Sequence, residues 1–104
     1  MLNSTTYTLL SATTASGQSA AQDVSRADRW NVQVALTGNS GTAVTITTEA
    51  SLDGSNYATL DETTRTSSNT GYFVSGNWPY NYLRVATTTH ATEAAVTATL
   101  VVAG

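Results

Sequence analysis

Apolar and polar residues alternate along most of this chain, and the clearest case is residues 29–38, RWNVQVALTG. A period of two residues is typical of a β-strand with one buried face, and no window shows the 3.6-residue period of an amphipathic helix. We therefore predict a half-buried antiparallel strand, closed by the turn residues 38–41. Its inward residues would be every second one: Trp30, Val32, Val34 and Leu36.

Similar alternation continues on both sides of this strand. The residues predicted to face inward include Val44, Ile46, Thr48, Leu83, Val85, Ala94, Val96, Ala98, Leu100 and Val102. Further strands are expected at residues 5–12, 42–50, 57–60, 71–75, 82–88 and 94–102. Residues 16–28 would be partly strand and partly connection, and the polar residues 63–71, TTRTSSNTG, would form a loop. Three aromatic residues are expected in the core: Trp30, Tyr57 and Phe73.

Seven or eight short strands with turn signals every 8–12 residues are typical of a two-sheet sandwich. We predict an all-β fold, a single antiparallel β-sandwich that is either immunoglobulin-like or a jelly roll. A chain of 104 residues is the length of one domain. Residues 1–104 would form this domain, with residues 1–28 as an N-terminal strand plus a polar connection.

The chain carries few charges, and this limits its partners. Charged residues make up 11% of the sequence, against about 25% in ordinary soluble domains. The four cations are scattered arginines and the net charge is −3, whereas nucleic acid requires a clustered basic face. Residues 1–4 lack a basic secretion-signal region, and no apolar run approaches membrane-spanning length. We expect a soluble protein with neither nucleic acid nor membrane as a partner.

Catalytic groupings are missing from the sequence. Cysteine is absent, and the one histidine, His90, stands in a polar turn. The adjacent carboxylates Asp61 and Glu62 would point to opposite faces of a strand and so would not share a proton. No Gly-x-Ser-x-Gly nucleophile motif occurs. We therefore expect no enzymatic activity and no cofactor.

The stretch SLDGSNYATL, residues 51–60, contains the one acidic turn that could hold a metal. Asp53, Ser55 and Asn56 would supply two or three oxygens, whereas calcium takes six to eight. An Asp-Gly pair also tolerates positive φ and forms tight turns between strands. We predict that Asp53 and Gly54 are a structural turn, with no metal bound.

Aromatic residues crowd the segment NWPYNY, residues 77–82. Tyr80, Tyr82 and Arg84 are every second residue, so they would share the face opposite Leu83 and form an exposed row. Tyrosine and arginine are enriched in surfaces that bind partners. The alternative is a pair of tyrosines covering the sheet with Arg84 stacked on one ring. We take Trp78 and this row, Tyr80, Tyr82 and Arg84, as candidate partner-binding residues.

Four short motifs in order resemble small β-sandwich virion proteins of tailed bacteriophages. They are S-x-D-G-x-N-Y-x-x-L at residues 51–60, G-Y-F-V at 71–74, W-P-Y-x-Y-L-R-V at 78–85 and V-x-A-x-L-V-V at 96–102. The resemblance covers most of residues 29–103. It implies a structural role, as a capsid decoration (cement) protein or as a head-fibre or tail module, with no catalytic residues.

The edges of the predicted sheets support the same interpretation. Soluble monomers guard edge strands with lysine, proline or inward charges, but this chain has no lysine and one proline. We expect a homo-oligomer, a trimer in the simplest case. It would be made in the host cytoplasm and would bind the major capsid protein on the outer capsid surface.

A carbohydrate-binding module, with Trp78 and Tyr80 as its aromatic platform, is an alternative of a different class.

Overall fold

A computed structural model describes residues 4–14, 17–38, 40–67, 70–77, 80–89 and 94–103. These residues form nine strands: β1 (Ser4–Thr13), β2 (Gly17–Gln18), β3 (Gln22–Asp23), β4 (Arg29–Thr37), β5 (Ser40–Ser51), β6 (Ala58–Ser67), β7 (Thr70–Asn77), β8 (Tyr82–Thr89) and β9 (Ala95–Ala103). The prediction of an all-β antiparallel sandwich is confirmed. The count exceeds eight because the connection before β4 contributes two strands of two residues each.

The strands are arranged in two antiparallel sheets. Sheet one has the order β1-β9-β4-β7, and sheet two has the order β2-β8-β5-β6 with β3 also on β8. Because β2 and β3 pair with different parts of β8, they act as one interrupted edge strand. Counted this way, the described residues form eight strand positions in two four-stranded sheets, and among these strands only β5 and β6 are consecutive in the chain and paired with each other. Of the two predicted topologies, this is the jelly roll.

The core lies between the sheets and is built by the alternation seen in the sequence. Along β4 the burial alternates residue by residue, because neighbouring side chains of a strand point to opposite faces. The inward prediction is confirmed for these residues, which are at most 5% exposed: Trp30, Val32, Val34, Leu36, Val44, Ile46, Thr48, Leu83, Val85, Ala94, Val96, Ala98 and Leu100. Val102 is half-buried and packs against this cluster.

The predicted polar loop at residues 63–71 is wrong for most of its length. Strand β6 continues to Ser67 and β7 begins at Thr70. Threonine is β-branched and favours strands, and the inward positions here lie at the rim of the sandwich, on the edge strands β6 and β7 of the two sheets. There the guanidinium carbon of Arg65 lies 5.2 Å from the ring centroid of Tyr72. Burial raises the pKa of Tyr72 to about 12.

Two of the three aromatic residues expected in the core lie elsewhere. Trp30 is buried, but Phe73 is 66% exposed. Phe73 pairs with Gln33 of β4, whose neighbours Val32 and Val34 point inward, so the register places Phe73 on the outer face. Tyr57 is half-buried beside Arg84 and is not a core residue.

Candidate functional site

The segment with Asp53 and Gly54 connects β5 to β6 and is held by its own side chains. Asp53 Oδ1 accepts hydrogen bonds from the backbone N–H groups of Ser55 and Asn56, both at 2.8 Å. Ser51 Oγ also donates to Oδ1 at 3.0 Å, and Asn56 Nδ2 donates to Oδ2 at 2.8 Å. Gly54 has φ 81°, in the left-handed region that favours glycine.

These contacts use the oxygens that a metal would need. Both carboxylate oxygens of Asp53 already accept hydrogen bonds from the turn, and these bonds hold the pKa of Asp53 well below its usual value. Across the part of the chain that the structure describes, no group of three or more histidine, cysteine, aspartate or glutamate residues could hold a metal ion. The turn therefore has the geometry of a strand connection.

Asp53→Asn is expected to lower the melting temperature at neutral pH and to do so less in acid. Asparagine keeps one oxygen for the two backbone donors but loses the charge. Because the folded-state pKa of Asp53 is depressed, its stabilisation is fully present above the unfolded pKa, near 3.9, begins to decrease below that value, and is lost as the pH falls through the folded-state pKa. Thermal melts at about pH 7 and about pH 3 should show the difference between wild type and variant shrinking. A difference that is equal at both pH values would contradict this assignment.

The predicted row of Tyr80, Tyr82 and Arg84 is less exposed than the sequence suggested. Tyr80 comes before β8 and packs against the core, with its ring edge-on to Trp30 at a centroid distance of 6.4 Å. All three residues are partly buried. Trp78 lies outside the described residues, as does His90.

Arg84 and Tyr82 are engaged within the chain. Arg84 Nε donates to Glu49 Oε1 at 2.6 Å, and the guanidinium carbon lies 3.7 Å from the ring centroid of Tyr57. The ring of Tyr82 covers the turn, where a Cβ added to Gly54 would stand 3.2 Å from it. Arg84 stacked on a tyrosine is close to the alternative arrangement considered from the sequence, although the ring belongs to Tyr57. Binding of a partner by the row stays a prediction.

A second surface, which the sequence did not reveal, is the outer face of sheet one. Cross-strand partners share a face, so the register defines its members. Its strand residues include only one charged side chain, Arg29 at one end, and its exposed apolar residues are Phe73 and Val101. The outward residues are Ser4, Thr6, Thr8, Arg29, Asn31, Gln33, Ala35, Thr37, Gly71, Phe73, Ser75, Asn77, Ala95, Thr97, Thr99, Val101 and Ala103.

The outer face of sheet two differs in charge. It includes the ion pair between Glu49 and Arg84. Glu62 lies on the same face as the cross-strand partner of Thr47, and Asp23 as the cross-strand partner of Tyr82. The two faces of the sandwich are therefore unequal, one nearly uncharged and the other acidic. Finding the uncharged face required the strand order, because its residues come from four strands far apart in the sequence.

Comparison with known proteins supports the fold. No protein-family model matches the chain, and no curated protein matches it. The crystal structure of the SPBc2 prophage-derived protein YomS superposes with a TM-score of 0.75 at 15% identity, covering 100% of this chain and 96% of that chain. A protein of Bacillus endospore appendages, described as disulfide-linked pili, gives a TM-score of 0.52 at 14% identity, covering 97% of this chain and 84% of that chain. At these identities the similarity establishes a shared fold.

None of the described residues forms a helix with the length and hydropathy needed to cross a membrane.

Proposed function

We propose that this protein is a structural component of a bacteriophage virion, and specifically a capsid decoration protein on the outside of the shell. The observation that carries the virion assignment is the full-length similarity of fold to a prophage-derived protein. The sequence motifs that resemble small virion proteins of tailed phages support the same class. Jelly rolls also recur in viral capsid domains. The protein would be made in the host cytoplasm and would act on the capsid surface without catalysis.

The outer face of sheet one is the surface through which this protein would bind the major capsid protein. Four strands about 4.8 Å apart and nine residues long give a flat area of about 600 Å². A standard protein interface buries about 800 Å² on each partner, so this face supplies most of what one stable contact needs. Bound across neighbouring capsid subunits, it would oppose their separation by adding buried area.

Binding through this face should depend little on salt, because Arg29 is its one charge among the strand residues. Ion pairs between exposed groups are screened as salt rises, whereas buried apolar and hydrogen-bonded area is not. The acidic outer face of sheet two would remain in solvent.

A head-fibre or tail module is the second candidate. The observation that favours it is the likeness to a pilus protein, which belongs to an extended appendage. The disulfide link named for those pili has no counterpart here, since this chain contains no cysteine. The carbohydrate-binding alternative is weaker, because Tyr80 packs edge-on to Trp30 and does not present a free aromatic platform.

Co-sedimentation with capsids stripped of the protein tests the proposed surface. Wild type should sediment with the shells at low and high salt. Val101→Lys places a charge on the inner strand β9 of the sheet-one face, opposite Asn31, and is expected to weaken binding more than tenfold, about 1.4 kcal/mol. Thr59→Lys adds the same charge to an exposed position of β6 and serves as the matched control.

Two outcomes would count against this proposal. Absence of wild type from the pellet at both salts would remove the capsid role. If Val101→Lys bound as well as wild type while Tyr82→Ala lost binding, the docking surface would be the row of Tyr80, Tyr82 and Arg84 and not the outer face of sheet one.

A further inference from the structure

The four edges of the two sheets are not equally protected against pairing with another strand. At one edge of sheet two, β2 and β3 offer only two residues each. At its other edge, β6 carries Asp61, Glu62 and Arg65, and its register with β5 shifts twice. In sheet one, the edge strand β1 has two register shifts against β9. Short strands, charges and irregular registers each discourage edge pairing.

Strand β7 is the exception. Its eight residues, TGYFVSGN, include no charged residue and no proline. All eight pair with β4 without any shift in register, from Thr70 opposite Leu36 to Asn77 opposite Arg29. The edge away from β4 therefore offers a regular row of backbone donors and acceptors, beside an exposed phenylalanine at its centre. Such an edge is a template for an added strand.

We propose that β7 pairs antiparallel with β7 of a second copy of this chain, across a two-fold axis perpendicular to the sheet. Directly opposite residues of antiparallel strands point to the same face. Odd-numbered residues of β7 point outward and even-numbered ones inward, so an odd residue must lie opposite an odd one. Among the registers that satisfy this rule, the one that pairs the exposed aromatic residue with its own copy on the outer face places Phe73 opposite Phe73 on the axis, with Tyr72 opposite Val74.

A second copy fits this edge better than another occupant for two reasons. An uncharged strand can face itself without like-charge repulsion, whereas β6 against β6 would bring Glu62 and Asp61 of both copies together. A two-fold dimer is also a closed assembly. Both β7 edges are paired within it, so no β7 edge remains to which a further copy could add and extend a fibre. The geometry favours a dimer over the trimer expected from the sequence.

Pairing would join the two copies of sheet one into a continuous eight-stranded sheet, β1-β9-β4-β7-β7-β4-β9-β1. Its uncharged outer face would measure about 1,200 Å², which exceeds what a standard interface buries on one partner. The dimer is inferred from the edges alone and does not depend on capsid binding.

Light scattering on the isolated 104-residue chain, from about 1 µM to about 500 µM, measures this association. Wild type is expected to approach twice the 10.8 kDa of one chain as its concentration rises. Phe73→Lys places two like charges opposite each other on the two-fold axis. It is expected to raise the concentration needed for dimerisation at least tenfold. Leu52→Lys is the matched control, because Leu52 is 64% exposed but lies in the β5–β6 connection.

A disulfide trap tests the register independently, since the chain has no cysteine of its own. Phe73→Cys is expected to form a covalent dimer on mild oxidation, because opposite Cβ atoms in such a pair come within about 4.5–5.5 Å, close to disulfide geometry. Leu52→Cys should remain monomeric under the same conditions. A wild-type monomer at every concentration, a trimeric mass, or equal cross-linking of the two cysteine variants would each overturn the proposal.

Discussion

Replacing Trp30 with alanine is expected to lower the free energy of unfolding by about 3–5 kcal/mol. Trp30 is 5% exposed, lies on the inner face of β4, and meets the ring of Tyr80 edge-on. Removing the indole takes away its buried area and leaves a cavity that the rigid sheets can close only in part. For a domain of this size the loss corresponds to a fall in melting temperature of more than about 12 °C.

The matched control for Trp30→Ala is Phe73→Ala, which removes an aromatic ring that is 66% exposed on β7. Phe73→Ala should change the free energy of unfolding of the monomer by no more than about 0.5 kcal/mol. Denaturant titration measures this value at a protein concentration too low for the dimer to form. Equal losses in the two variants would contradict the assignment of Trp30 to the core and of Phe73 to the surface.

Gly76→Ala is expected to be the most disruptive single-methyl addition on β7, costing about 1–3 kcal/mol. A Cβ at Gly76 would stand 2.6 Å from Cζ2 of Trp30, closer than real Cβ contacts allow. The indole ring is rigid and buried, so it has to move as a whole to make room. Ser75→Ala, which alters the neighbouring exposed position, should be nearly neutral.

A double-mutant cycle identifies the cause of the Gly76 effect. In a Trp30→Phe background, the smaller ring leaves space for the added methyl, so Gly76→Ala should cost less there than in wild type. Chemical denaturation of the four proteins gives the coupling energy. A cost that is unchanged by Trp30→Phe would mean that the loss arises from the backbone of β7 rather than from contact with the indole.

Strand positions in the core could be predicted from the sequence because alternation directly encodes which face is buried. The RWNVQVALT strand has the alternating burial that its pattern predicted, and so does β9 from Val96 to Leu100. The same rule failed at β6, because its inward residues, including Thr63 and Arg65, lie at the rim of the sandwich and can be polar. Polarity there reflects position in the sheet and does not indicate a loop.

The position of Phe73 shows what alternation alone cannot decide. The segment YFV has apolar residues on both faces of the strand, so the register against β4 is needed to show that Tyr72 and Val74 point inward. The candidate surfaces depend on the same kind of information. The absence of charge from β7 is visible in the sequence, but its position at an edge, and the single face shared by Phe73 and Val101, follow from the strand order.

The proposed role in stabilising a capsid shell is tested most directly by the disruption temperature of capsids stripped of this protein. The shells are heated alone, with wild type, and with Val101→Lys, each at low and at high salt. Wild type is predicted to raise the disruption temperature at both salts, and Val101→Lys to raise it less. An unchanged disruption temperature with wild type, together with binding of the protein to a glycan array, would contradict the decoration role.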